Sequence, residues 1–385
     1  MRDMVRLLAP NEYGSAIRMF ADKWKRLRDR IYVNPAFQRR ASRFFLTRAI
    51  ARRRARDVFD LCAGFVYSQV LSACVQLEIF QQVRDGPMSV RDIARRCGLS
   101  PEAASRLLEA ASSLRLLEKR SGERFGLGPL GAAVLGNPGL IAMIDHHRHL
   151  YVDLNDPVAL LRNEAADTQL SKYWPYAETA SARDLGQNDI ADYSALMAAS
   201  QPIVADEVLD CYPLDAHQCL LDVGGGEGAF IAEAAARFPN LRLMVFDLPA
   251  VVERAGAFVE RAGISQRVSI YGGDFFSDSL PRGADVVSLV RIALDHDDSK
   301  VLTLLKSIRA ALPAGGTLLI AEPVAGSGYA PMVSAYFGIY LMAMGRGRVR
   351  TRQKFEQLLR EAGFQKVSFR NGRGALQTGV VIAIA

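Results

Sequence analysis

Two short stretches hold most of the chemistry this sequence can offer. In LDVGGGEG, residues 221–228, glycines 224, 225, 226 and 228 follow Asp222 and enclose Glu227. In RIALDHDD, residues 291–298, Asp295, His296, Asp297 and Asp298 stand in a row behind an apolar run. A glycine-rich turn after a strand lets backbone approach a ligand closely. Acids beside a histidine could hold a metal, form a general base with its helper, or be a solvated loop. Metal binding needs convergent ligands, and no histidines stand at ligand spacing, so no metal is assigned. Asp297 and Asp298 read as caps of a following helix.

The glycine turn fits two templates: G-x-G-x-x-A for a dinucleotide, through Gly224, Gly226 and Ala229, and D-x-G-x-G-x-G for a sulfonium nucleoside, from Asp222 to Gly228. Charge separates them. A dinucleotide brings a pyrophosphate to the helix N-terminus, where the fixed charges of Asp222 and Glu227 oppose it. The same acids suit an ammonium and a positively charged sulfur. Asp247, in FDLP, is placed to accept from both ribose hydroxyls, and Asp274, in GGDFF, from an adenine amino group, with Phe275 covering the ring. Leu248 and Arg291 complete the expected set, and the expected cofactor is S-adenosylmethionine.

Acids at successive strand ends require strands that finish at one edge. From residue 216 apolar strands alternate with amphipathic helices: strands at 219–224, 241–247, 267–274, 284–292 and 316–323, then two last strands at 366–370 and 376–384. This pattern is α/β, a doubly wound, mostly parallel Rossmann-like sheet with ligands at the carboxyl ends of its strands. The expected catalytic domain is 216–385, and 136–215 reads as a helical connector that lines a pocket. Within 59–135, Ser89 caps a short helix, Gly98 ends it, Ser100-Pro101 opens a second, and a charged hairpin follows, which makes a winged helix-turn-helix. Its second helix is mostly Ala, Leu and Ser, a composition that packs on protein, so no nucleic acid is expected.

The basicity is local. Residues 1–60 hold 16 Lys/Arg and 6 Asp/Glu, a net +10, so the remaining residues, with 32 and 35, are net −3. The arm, 1–58, therefore reads either as a solvated helical segment or as a contact for an anionic membrane or nucleic acid. Nothing at the start reads as a secretory leader. Cys62 to Phe80 is interrupted by Gln69, Gln76 and Glu78 and is expected as a buried amphipathic helix rather than a span. The five cysteines lack ligand spacing and read as buried thiols in a reducing cytoplasm.

The order LDVGGGEG, FDLP, GGDFF, RIALDHDD, AEP resembles the class I S-adenosylmethionine-dependent O-methyltransferases with an N-terminal winged-helix dimerisation domain, over about residues 60–385. The resemblance implies a homodimer joined through that domain. Within the family, FDLCAGFVYSQVL (59–71), HHRHLYVDLNDPVALL (146–161), YSALMAASQPIVADE (193–207), GADVVSLVRI (283–292) and AYFGIYLMAMGRGR (335–348) resemble the acyclic-carotenoid methyltransferases of purple photosynthetic bacteria. These methylate the tertiary 1-hydroxyl of hydroxyneurosporene or demethylspheroidene. The implied acceptor is lipophilic, and the implied location is cytoplasmic, peripheral on the inner face of the photosynthetic membrane.

The wider family keeps a histidine base after the fourth strand, supported by two glutamates. Alignment on Asp295 puts Leu294 at the base and His296 where an aromatic residue stands; Glu322 keeps one acid position, and Val349 takes the other. Either the chain no longer methylates, or its acceptor gains little from histidine. A tertiary alcohol is far less acidic than imidazolium, so its proton can leave during or after C–O bond formation, to a weak acceptor or a water. The carotenoid enzymes it resembles likewise lack histidine here. The candidate proton acceptors are Asp295, His296, and His146 or His147 of the HH pair, although His296, one residue beyond the expected base, also reads as pointing to solvent. Tyr336, Phe337, Tyr340 and Met344 recur at helical spacing in 331–345, a core or interface stripe that by resemblance borders the acceptor, with His147 beside it. Two other readings remain: a methyltransferase for another apolar acceptor such as a bacteriochlorophyll precursor, and a non-catalytic S-adenosylmethionine-binding dimer.

Overall fold

Helix-forming residues fill the first of two units, residues 1–73: α1 (Pro10–Val33), α2 (Pro35–Arg43) and α3 (Arg48–Gln76), which runs on into the second unit, 74–385. The computed structural model describes residues 10–164, 167–173, 187–326, 331–372 and 378–385, with the side chains of all but 10–18, 187–194 and 331. Parts of the expected arm and connector, and the start of the strand expected at 376–384, lie outside the described residues. Asn34 divides α1 from α2. Its side chain accepts from the Ala36 and Phe37 N–H groups, and Pro35 sits at the first helical turn, where a missing N–H costs nothing.

Contrary to expectation, 62–80 is not one buried helix: α3 ends at Gln76, Glu78 turns at φ +53°, and a short helix, Ile79–Gln82, follows. Leu61, Phe65 and Val66 are exposed in the single chain, as is Cys62, and burial starts near Ser72 and Cys74. Periodicity identifies an apolar face but not what covers it. By length and composition α3 could cross a membrane.

The winged helix forms as its turn residues dictate. Ser89 accepts from the Asp92 N–H at 3.2 Å and starts α4 (Val90–Cys97); Gly98, at φ +66°, ends it. Ser100 starts α5 (Pro101–Ser113), whose Ala104, Leu108 and Ala111 are buried while Arg106 pairs with Glu102 outside. β1 (Leu117–Arg120) and β2 (Arg124–Leu127) form the hairpin, and Met88–Ser89 adds a third strand to it.

Helices α6 (Pro138–Asp153), α7 (Pro157–Leu161) and α8 (Gln187–Cys211) lead to the large sheet. Its elements are β3 (Cys219–Val223), α9 (Ala229–Arg237), β4 (Arg242–Asp247), α10 (Pro249–Arg261), β5 (Val268–Gly272), β6 (Val286–Val290), α11 (Asp298–Ala311), β7 (Thr317–Glu322), α12 (Pro331–Ala343), α13 (Arg352–Glu361), β8 (Lys366–Asn371) and β9 (Gly379–Ile384). The strand order is β8-β9-β7-β6-β3-β4-β5, and only β9 runs against its neighbours. Alternate residues of one strand feed two cores. Leu221, Val287 and Ile320 pack with α11 and α13, while Leu220, Val286 and Leu319 pack with α8 and α9. Buried on both faces, these strands read as continuous apolar runs. The order reverses between β3 and β6, which opens a crevice at their carboxyl ends.

Candidate active site

The crevice is built around a backbone turn that only glycine tolerates. Gly224, Gly226 and Gly228 all have positive φ, +69°, +60° and +88°. A Cβ on Gly224 would lie 2.5 Å from Ile292 Cδ1, whereas one on Gly226 would meet nothing within 4 Å, so the turn stays open above Gly226. Asp222, on β3, is 2 % exposed and accepts from Ser288 Oγ of β6 at 2.6 Å, a bond across the reversal point. Asp247 ends β4; its two oxygens accept from the Gly226 and Leu248 N–H groups, both at 2.7 Å. Burial pushes the Asp222 carboxyl up to about 7, with Asp247 adding to it, and the Asp247 carboxyl up to about 6.

Two acid residues that share a cradle and are destabilised as anions call for a cation. Glu227 does not help: it is ion-paired with Arg254 at 2.6 Å, so its charge is already answered inside the protein. That corrects the expectation that both loop acids face the ligand. The donor set nonetheless fits S-adenosylmethionine, with buried carboxyls at two strand ends and an uncovered glycine turn. Asp274, past β5, is half-buried; its Oδ1 accepts from the Phe276 N–H at 2.9 Å. Phe275 and Phe276 stack edge-to-face beside it at 4.7 Å. Arg291, at φ +56°, turns its guanidinium to α8, donating to Ser200 Oγ at 2.8 Å, the Met197 carbonyl at 3.0 Å and Gln201 Oε1. It thereby fastens α8 to the end of β6.

The row 293–298 is held from behind. Arg350, fully buried, donates to the carbonyls of Ala293 and His296 at 2.5 and 2.6 Å and pairs with Asp298 at 2.9 Å. Asp297 caps α11 through the Lys300 N–H. Glu322, with no exposure, accepts from the Ala293 and Leu294 N–H groups at 2.7 and 3.3 Å; among the described residues its Oε2 has no partner. Burial raises Glu322 to about 7, and burial together with Glu322 raises Asp295 well above the carboxylate range. His296 does not point to solvent as expected. It lies 4.9 Å from Phe276 and 5.9 Å from Phe275, both edge-on, and burial lowers it to about 4.

Leu294, 7 % exposed, joins an apolar cluster with Leu150, Leu160, Tyr340 and Met344. Into this cluster α6 and α12 bring two parallel polar pairs, His146 Nε2 to Tyr340 Oη at 2.7 Å and His147 Nε2 to Tyr336 Oη at 2.6 Å. The tyrosine rings stack at 5.7 Å, with Phe337 against them. Burial lowers His146 to about 4 and lowers His147 too, so both are neutral at pH 7, and it raises Tyr336. His146 Nδ1 has no partner among the described residues. Residues of the HH pair and of the stripe at 336–344 thus meet across the chain; His296 and Asp274 sit with the phenylalanines instead. Sequence reasoning missed Ser288, Ile292 and Arg350. A lone serine in an apolar strand was the only signal for the first, and Arg350, in a run that alternates with Arg346, Arg348 and Arg352, carried none.

A family model for the O-methyltransferase domain matches residues 151–365, and one for the O-methyltransferase dimerisation domain matches 59–137. The chain is 41% identical to a demethylspheroidene O-methyltransferase of Cereibacter sphaeroides, over 93% of this chain and 94% of that one. It is 40% identical to the one of Rhodobacter capsulatus, over 84% and 80%. Human N-acetylserotonin methyltransferase in complex with S-adenosylmethionine superposes with a TM-score of 0.73 at 25% identity, over 86% of this chain and 97% of that one. The dimerisation domain supports a homodimer. With a glycine turn between two buried carboxyls at the carboxyl edge of its sheet, the chain belongs to the S-adenosylmethionine-dependent O-methyltransferases.

Proposed function

We propose that the chain methylates the tertiary 1-hydroxyl of an acyclic carotenoid such as hydroxyneurosporene or demethylspheroidene. The observation that carries this reading is the 41% identity to a demethylspheroidene O-methyltransferase over nearly the whole chain. The apolar chamber around Leu294 supports it, since a phenol would want a base there. In this reading the chain comprises a basic arm (1–58), a dimerisation domain (59–135), a pocket-lining connector (136–215) and a catalytic domain (216–385). The arm keeps the enzyme at the inner face of an anionic membrane, where its acceptor resides.

S-adenosylmethionine supplies an electrophilic methyl on a cationic sulfur. The turn at Gly224 and Gly226 would receive its amino-acid end, with Asp222 as counter-charge; Asp247 and the Leu248 backbone would hold the ribose and Asp274 and Phe275 the adenine, while Arg291 keeps α8 fastened to the end of β6. His147, Tyr336, Phe337, Tyr340 and Met344 line the acceptor chamber and keep it dry, so positioning supplies much of the rate. Bound here, that methyl would be taken by the acceptor oxygen while the C–S bonding pair returned to the sulfur. The hydroxyl proton passes to Tyr340 Oη and from it to His146 Nε2, which are already hydrogen-bonded. Asp295 and Glu322, one of them protonated, shape the turn that presents Leu294; His296 packs against the adenine side. Purified enzyme given labelled S-adenosylmethionine and hydroxyneurosporene in detergent should yield a labelled methoxy carotenoid. Cofactor binding with no label in the carotenoid would overturn the acceptor assignment.

A further inference from the structure

Helix α1 has an apolar face that none of the described residues buries. Phe20, Trp24, Leu27 and Ile31 recur at spacings of four, three and four, and are 74 %, 63 %, 50 % and 40 % exposed. At about 100° per residue they form one narrow stripe. Lys23, Arg28 and Arg30 flank that stripe within roughly 80° on either side, while Asp22 and Asp29 fall on the opposite pole. The acids are partnered there, Asp22 by Lys25 at 3.7 Å and Asp29 by Arg28 at 2.6 Å.

We infer that α1 is an interfacial helix that lies in the surface of an anionic lipid bilayer, with Phe20, Trp24, Leu27 and Ile31 among the acyl chains and Lys23, Arg28 and Arg30 at the phosphates. Charge arrangement selects a bilayer over a second protein. Cations that border an apolar stripe can bury their methylenes and still reach head groups, and acids at the far pole keep repulsion away from the lipid. A partner helix gains nothing from that ordering. The net +10 of residues 1–60 acts in the same direction, adding about 1 kcal/mol for each cation close to an anionic surface. The inference rests on the bilayer-borne acceptor for its purpose but not for its geometry, and it narrows the membrane contact of the arm to one face of one helix.

The sequence has two tryptophans, Trp24 and Trp174, so a Trp174→Phe background leaves Trp24 as reporter. With the full chain, without cofactor or carotenoid, vesicles of phosphatidylglycerol and phosphatidylcholine should shift Trp24 emission to the blue, and salt should reverse the shift. Phosphatidylcholine alone should bind at least tenfold more weakly. Phe20→Glu with Leu27→Glu should lower partitioning into anionic vesicles at least tenfold and slow methylation of vesicle-borne acceptor, leaving turnover in detergent unchanged. An emission spectrum that anionic vesicles leave unmoved overturns the inference. So does a double variant that changes the oligomer mass while vesicle binding stays intact, because the face would then pack on a second copy. Vesicle binding with no carotenoid methylated would leave this interface standing and remove the acceptor reading alone.

Discussion

Cofactor affinity should depend steeply on pH if Asp222 and Asp247 answer the sulfonium as proposed, because burial raises both carboxyls. Asp222 stands near 7 and Asp247 near 6, both raised by burial. A group at about 7 is ionised to about 3% at pH 5.5 and to about three-quarters at pH 7.5. If only the ionised form binds the cation, affinity should rise about 25-fold across that window from Asp222 alone, with a few-fold more from Asp247. The window stops below the ordinary α-amino value of about 8, so the ligand keeps its ammonium. Isothermal titration in buffers of different ionisation enthalpy should show protons released on binding, most at pH 5.5 and fewer as pH rises through 7. Asp222→Asn should weaken binding at pH 7.5 and flatten the profile. The sign for folding is opposite. A carboxyl raised from 3.8 to about 7 favours the fold most below about pH 4 and loses that contribution as pH rises through 7, about 4 kcal/mol for Asp222 as an upper figure. The melting temperature of the ligand-free enzyme should therefore gain more from added cofactor at pH 7.5 than at 5.5. A pH-independent dissociation constant between 5.5 and 7.5 would refute the reasoning.

Three other perturbations follow from the same geometry. Leu294→His puts an imidazole into the apolar cluster with Tyr340 and Met344 and should give measurable turnover of phenolic acceptors in a labelled-methyl assay; none would mean that position 294 does not face the chamber. Tyr340→Phe leaves the buried His146 Nε2 without its partner, so urea unfolding should show a loss of about 1–3 kcal/mol, and kcat should fall further than KM changes; an unchanged kcat would remove Tyr340 from the proton path. Gly224→Ala forces a Cβ to 2.5 Å from Ile292 Cδ1 at a left-handed φ, and should cost about 1–3 kcal/mol of stability along with cofactor affinity. Ile292→Ala should return part of the stability, read by thermal melting of the double variant.

The sheet was legible because its strands are apolar runs punctuated by glycine and acids, and each expected strand lies within a residue or a few of its place. Caps at Ser89, Ser100 and Asp297 were legible because short-range hydrogen bonding fixes them. The unreadable parts depend on contacts between distant residues. Glu227 looked like a ligand acid until Arg254, 27 residues on, claimed it. His296 looked solvent-facing because nothing nearby in sequence announces that Phe275 and Phe276 fold against it. The burial of Arg350 behind 293–298 has no local signature at all. The middle of α3, Val58 to Val66, and the stripe of α1 mark a different limit: an apolar pattern is there in the sequence, but the described residues leave it exposed, and periodicity does not say what covers it.

The most direct test of the central claim is a competition for one methyl. Enzyme, trideuteromethyl S-adenosylmethionine, and equal amounts of 1-hydroxyneurosporene and a simple phenol in detergent would be sampled early and separated by mass spectrometry. A chamber closed by Leu294 and served by Tyr340 and His146 should place the deuterated methyl on the tertiary carotenoid oxygen and leave the phenol unlabelled. Label on the phenol in preference to the carotenoid would contradict the account.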